Sequence, residues 1–117
     1  MVLLGLDILL ALDRWDDVAN LGIGACRQWP VLDGFFLKTT TALIELKVFQ
    51  KAKDLLLAGP ESFKQKAAYW YDLACCQCRL GEVQKAKKSI SECFNRDRIL
   101  RMRALYDSDL EAIWESL

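Results

Sequence analysis

Apolar residues recur along this chain with a period of 34 residues. Leu12, Leu46 and Leu80 stand 34 residues apart each time. Two further sets keep the same register: Trp15, Phe49 and Val83, then Val18, Ala52 and Ala86. Self-similarity at one fixed period of this length is typical of repeat proteins, in which each repeat is one supersecondary unit. The chain is therefore predicted to contain three copies of one structural unit.

Within each copy the apolar positions follow a helical pattern. Two stripes at 3.6-residue spacing mark the third copy: Leu73, Cys76 and Leu80, then Val83, Ala86 and Ile90. Between the stripes, Gly81 is suited to stop one helix, and Glu82 is suited to the start of the next. Each copy is predicted to be a pair of helices that cannot bury its own apolar face, so that stacking of the copies buries it.

The third copy resembles the tetratricopeptide (TPR) repeat. The family pattern of an aromatic, a leucine, a small residue and a later alanine is matched by Trp70, Leu73, Ala74 and Ala86. The second copy matches through Phe36, Thr39, Thr40, Leu43, Ala52 and Leu56, and the first through Trp15, Val18 and Pro30. The resemblance implies an all-α fold, a right-handed α-α superhelix of three helical hairpins, with repeats at about 1–32, 33–66 and 67–100. Gly59-Pro60 departs from the pattern and is expected to end the second helix of copy two early.

The last residues, 101–117, are predicted to be a capping segment. Ser108 and Glu111 form a capping-box pattern, and Leu110, Ile113 and Trp114 fall on one face of a short helix. A solenoid needs cover over the apolar face at its open end. We therefore expect one TPR-like domain over residues 1–117, closed by this segment.

Composition and charge narrow the classes of function. Sixteen basic residues balance sixteen acidic ones, and zero net charge argues against nucleic acid or a membrane surface as a partner. The apolar segment at the start, residues 1–12, contains Asp7 and is too short to span a bilayer. We therefore expect a buried helix of a cytoplasmic protein, and this start is also compatible with the cut edge of a longer chain. The chain has no histidine, the commonest general base and metal ligand. We therefore predict no enzyme activity, no catalytic residue and no cofactor.

Three of the five cysteines lie together, at Cys75, Cys76 and Cys78. Successive helical residues are turned about 100° from one another, so Cys75 and Cys78 share one side while Cys76 points toward Leu73 and Leu80. A structural zinc site needs four converging ligands, and these sulfurs diverge. A metal or redox role for Cys75 and Cys78 is the weaker alternative, and packing as small apolar residues is expected. Cys76→Asp is expected to destabilise the fold more than Cys75→Asp.

The TPR resemblance also implies a concave groove, lined by the first helices of successive repeats, that binds peptides or partner helices. The groove places in this chain are Leu3, Asp7, Leu37, Thr41, Ile44, Tyr71, Cys75 and Cys78. This largely apolar set suits an amphipathic helix. Tyr71 lies one residue past Trp70, about 100° from the packed side, so much of Tyr71 is expected to be reachable by solvent.

The predicted function is a non-catalytic protein–protein interaction scaffold that binds a protein or peptide partner in this groove. The chain is either complete or one segment of a larger protein. A structural role is the alternative, in which the groove or the first helix serves self-assembly into a homodimer.

Overall fold

The computed structural model describes the backbone of residues 2–30 and 33–117 and the side chains of residues 5–30 and 33–117. Within these ranges every regular element is a helix, which confirms the all-α class. The α-helices are α1 (Val2–Ala11), α2 (Trp15–Gln28), α3 (Asp33–Glu45), α4 (Phe49–Ala58), α5 (Glu61–Lys64), α6 (Ala67–Arg79), α7 (Val83–Arg96) and α8 (Leu100–Ala104). A C-terminal 3-10 helix covers Ser108–Ser116.

The chain forms two compact units, Met1–Phe63 and Lys64–Leu117. In the first unit α1 packs on α2, α2 on α3 and α3 on α4, and α1 also packs on α3. In the second unit α6 packs on α7, and the 3-10 helix packs on both. The α1–α2, α3–α4 and α6–α7 pairs are each joined by a three-residue turn. That the two units act as one domain over residues 1–117 stays a prediction.

The three turns share one backbone geometry. Asp13, Lys47 and Gly81 stand 34 residues apart and have φ values of 53°, 61° and 82°. In each turn this residue donates its N–H to the carbonyl three residues back, and the next residue donates to the carbonyl five residues back, at 2.8–3.2 Å. This is the Schellman arrangement, which satisfies the last carbonyls of a helix. The 34-residue period of the sequence is therefore also a structural period at these turns.

The start of the second helix repeats as well. Arg14, Val48 and Glu82 occupy the N-cap positions of α2, α4 and α7, with φ from −98° to −87° and ψ from 59° to 70°. In each case the carbonyl of this residue accepts the N–H four residues later, at 2.9–3.1 Å. The same exit from one helix and entry into the next thus occurs three times in the chain.

Close approach of α2 and α3 depends on Gly22. A Cβ atom at this position would lie only 1.9 Å from Oγ1 of Thr39. Thr39 is buried, and its hydroxyl donates to the carbonyl of Phe35 at 2.6 Å. Cys26, one turn after Gly22, places its sulfur 3.9 Å from the same Oγ1 atom. The two helices therefore meet at a contact that leaves no space for a side chain at residue 22.

The short elements differ from the predicted set of six main helices and one cap. As expected at Gly59-Pro60, α4 ends early, at Ala58, and the single turn α5 follows Pro60. A second short helix, α8, precedes the cap. The capping box predicted at Ser108 is wrong, because the N-cap of the 3-10 helix is Asp107, whose Oδ1 accepts from the N–H of Asp109 at 3.0 Å. None of the helices described has both the length and the apolar character needed to cross a membrane.

Candidate partner-binding face

The predicted groove residues of the first unit lie on α1 and α3. Asp7 is exposed and forms an ion pair with Lys38, which links these two helices. Leu37, Thr41 and Ile44 are half-buried on α3. The side chain of Leu3 lies outside the described residues. The contact between α1 and α3 thus brings Asp7 into the neighbourhood of α3, where Lys38 binds it.

Leu37, Thr41 and Ile44 form a single stripe on α3. Their spacings of four and three residues place them on one side of a helix. The Thr41 hydroxyl donates to the carbonyl of Leu37 at 2.9 Å, so its hydrogen atom is used within the helix. The stripe therefore offers partly accessible apolar surface beside the Asp7–Lys38 ion pair.

The predicted groove residues of the second unit are covered. Tyr71, Cys75 and Cys78 are all buried, and the exposed fraction of Tyr71 is only 2%. The expectation that much of Tyr71 would be reachable by solvent is wrong. Its hydroxyl donates to Oδ2 of Asp107 at 2.8 Å, and the guanidinium carbon of Arg103 lies 4.6 Å from the centre of its ring. The C-terminal segment covers the side of α6 that the phase argument assigned to solvent.

Asp107 connects this segment to α6, a role that sequence reasoning did not identify. One carboxylate oxygen caps the 3-10 helix, while the other accepts from Tyr71 and lies 3.9 Å from the sulfur of Cys75. The sequence does indicate that Asp107 caps a helix, because aspartate is a preferred N-cap residue. No local pattern indicates the contact with Tyr71, which lies 36 residues earlier in the chain.

The cysteines are free and buried, as expected for thiols that pack as small apolar side chains. Cys75 and Cys76 are equally inaccessible, at 2% and 0% exposed. The expected difference between Cys76→Asp and Cys75→Asp therefore has no basis in burial, because the C-terminal segment also covers Cys75. In the described part of the chain, no group of three or more cysteine and carboxylate side chains is placed to hold a metal ion.

The environment of the thiols also makes them poor nucleophiles. Burial, followed by the charge of Asp107, raises the pKa of the Cys78 thiol to about 11. The pKa of Cys75 is raised well above its ordinary value by the same two causes in the same order. Because the thiolate is the reactive form of cysteine, both side chains stay protonated and unreactive at neutral pH.

Two cavities lie away from the predicted groove. In the first unit, a cavity of about 390 Å³ between α2, α3 and α4 is lined by Ile23, Phe36 and Leu55, among others. In the second, a cavity of about 490 Å³ is lined by residues of α7 and the C-terminal segment, including Arg98 and Arg101. Sequence reasoning identified neither, because each collects residues that are distant in the chain.

Comparison with known proteins gives no relative for this chain. The sequence matches no family model, and neither curated proteins nor solved structures show significant similarity to it. Inference about function therefore depends on the residues and contacts described above.

Proposed function

We propose that this chain is a TPR-like module that binds a protein or peptide partner and catalyses no reaction. In this proposal the three helical hairpins stack as a right-handed superhelix. The shared geometry of the turns at Asp13, Lys47 and Gly81 supports a repeated hairpin. The packing of α1 on α3 supports stacking, because these are the first helices of successive hairpins. The module would act in the cytoplasm, where reducing conditions keep thiols free.

The binding face that we propose is formed by α1 and α3. Leu37, Thr41 and Ile44 give it an apolar stripe that remains partly accessible, and Asp7 and Lys38 give it a charged edge. An amphipathic helix or apolar segment binds such a surface through residues spaced three and four apart. Tyr71, Cys75 and Cys78 do not contribute in the described state, because they are buried.

Site-specific photo-crosslinking in the source cell tests this face. A benzophenone amino acid at Thr41 is expected to trap a partner protein. The same group at Leu57, an exposed apolar residue of α4, is the matched control and is expected to trap none. Once a partner is identified, Ile44→Asp should weaken its binding by about tenfold or more, since a charge would replace part of the apolar contact. Equal crosslinking at the two positions, or none at Thr41, would rule out the α1–α3 face.

Self-assembly is a second candidate function, and one observation favours it. Ile8 on α1 and Leu12, the residue that follows α1, are 52% and 62% exposed, and the N–H of Leu12 donates to the carbonyl of Ile8 at 3.1 Å. Large aliphatic side chains grouped on one helix face are a common feature of interaction surfaces. Self-assembly would bury these two side chains against a second copy of the chain.

A further inference from the structure

α8 and the residues that flank it expose several large apolar side chains. Ile99, Met102 and Tyr106 are 79%, 64% and 84% exposed. Ile99 and Leu105, which flank α8, also have right-handed helical backbone angles, so the helical spacing extends slightly beyond the helix itself. Spacings of three and four residues place Ile99, Met102 and Tyr106 on one side. This side has no cover within the described chain.

Arginines border this apolar stripe. At about 100° per residue, Arg98 falls along one edge of the stripe and Arg103 along the other, while Arg101 lies further round the helix, beyond Arg98. Arg98 and Arg101 line the same cavity. The guanidinium of Arg103 packs over the ring of Tyr71, and Arg101 donates a hydrogen bond to the carbonyl of Leu117. Arg98 is exposed, and its guanidinium forms no hydrogen bond or ion pair with the described residues. We call Ile99, Met102, Tyr106, Arg98 and Arg101 the basic patch.

The first unit carries a surface of complementary character. Ile8 on α1 and Leu12 in the turn after it are exposed, and so are Asp13 in the same turn and Asp16 at the start of α2. The nearby Arg14 is paired with Asp17. The carboxylates of Asp13 and Asp16 have no ion pair within residues 5–30 and 33–117. We call Ile8, Leu12, Asp13 and Asp16 the acidic patch.

We propose that the basic patch of one copy of this chain binds the acidic patch of a second copy. Each patch has large exposed apolar side chains beside exposed charges, which are arginines in one patch and aspartates in the other. Asp97, the acidic neighbour of Arg98, is half-buried, and its Oδ1 accepts from the N–H of Ile99 at 3.1 Å. Contact would bury the apolar residues against each other and bring Arg98 and Arg101 close to the two aspartates. Complementary charge of this kind fixes the orientation of an interface and increases the rate of association. The inference rests on the self-assembly candidate and is independent of peptide binding to the α1–α3 face.

The size of the patches determines the strength that we expect. Each patch presents only a few large side chains, so the buried area is expected to be small for a specific protein–protein interface. Complexes with such small interfaces are typically weak and transient. An anionic membrane is a poorer match for the basic patch, because the amphipathic helices that lie in membrane interfaces are much longer than α8. Reversible association between copies is therefore the expected behaviour.

Sedimentation equilibrium of the full chain, from low micromolar to near-millimolar concentration, tests the proposal. The average mass should rise with concentration, and added salt should reduce the rise because it screens exposed charges. Arg98→Glu with Arg101→Glu should weaken association about tenfold, since like charges would then face each other. Lys85→Glu with Lys88→Glu makes the same charge change at the same spacing on α7, and it should have little effect.

A complementation experiment gives the sharpest result. Asp13→Lys with Asp16→Lys should also weaken association about tenfold, and lysine is compatible with the positive φ at residue 13, because Lys47 has the same conformation in its own turn. Mixing this variant with the Arg98→Glu, Arg101→Glu variant should restore association, because each supplies the patch that the other has lost. Circular dichroism verifies that both variants are folded.

Three results would overturn the proposal. A wild-type chain that stays monomeric at every concentration would exclude self-assembly itself, and its binding to phosphatidylserine vesicles would assign the basic patch to membranes instead. Association that is insensitive to both charge reversals would place the interface elsewhere while keeping self-assembly. Folded variants that fail to associate when mixed would show that the two patches do not contact each other.

Discussion

Deletion of residues 108–117 is expected to destabilise the second unit by about 3–6 kcal/mol, with aggregation as the visible result. Leu110 and Ile113 are 0% and 1% exposed and belong to the same buried cluster as Tyr71 and Ile90. Burying an aliphatic side chain of this size contributes about 1.5–3 kcal/mol. Since small domains are stable by only about 5–15 kcal/mol, the loss would remove much of the stability available. Thermal denaturation followed by circular dichroism, with light scattering, measures both effects.

Point substitutions separate the loss of core contacts from the loss of chain length. Leu110→Ala should lower the free energy of unfolding by about 2–5 kcal/mol. Glu111→Ala, at the adjacent exposed position, is the matched control and should change it by less than about 0.5 kcal/mol. A truncated chain that remains monomeric, with an unchanged melting temperature, would contradict the assignment of this segment as a cap.

Gly22→Ala is expected to cost about 2–3 kcal/mol, although it adds only one methyl group. The new Cβ would lie 1.9 Å from Oγ1 of the buried Thr39, so α2 and α3 would have to move apart. Gly24 provides the control, because it lies on the same helix and a Cβ there meets no atom within 4 Å. Gly24→Ala should therefore stabilise the protein by about 0.5–1 kcal/mol through helix propensity. Urea denaturation of both variants gives the two free energies.

The cause of the Gly22 effect can be tested with a second substitution. Thr39→Ala removes Oγ1, the atom nearest to the new methyl group, and Cγ2, while Cβ at 2.9 Å stays. Gly22→Ala should therefore cost less in that background than in the wild type. Such coupling is expected for residues in direct contact and absent for distant ones. Equal costs in the two backgrounds, or equal effects at Gly22 and Gly24, would mean that the close approach of α2 and α3 is not as described.

The elements that could be predicted from sequence are those determined by local pattern. The turn around Gly81 is indicated by a glycine at the end of one apolar stripe. The 34-residue period then indicates equivalent turns at Asp13 and Lys47. Periodicity indicated the turn at Lys47 where the residue type did not, since lysine rarely adopts positive φ. The early end of α4 follows in the same way from the conformational limits of Pro60.

The burial of Tyr71 could not be predicted, because it depends on a contact between distant residues. The helical position of Tyr71 separates it from the stripe that packs on α7, so its side chain was expected to be exposed to solvent. Instead, Asp107 binds the tyrosine hydroxyl and the 3-10 helix packs on α6. A phase argument identifies which residues share a face of a helix, but it does not show what covers that face.

The repeated hairpin, on which the proposed function depends, is tested most directly by NMR of the full-length chain in solution. Amide–Hα coupling constants and carbon chemical shifts at Asp13 and Lys47 report the sign of φ at two non-glycine residues that rarely adopt the left-handed region. Positive φ at both positions, together with helical shifts on either side of each turn, is the predicted result. Negative φ at either position would mean that the turns are not equivalent and would contradict the three-hairpin repeat.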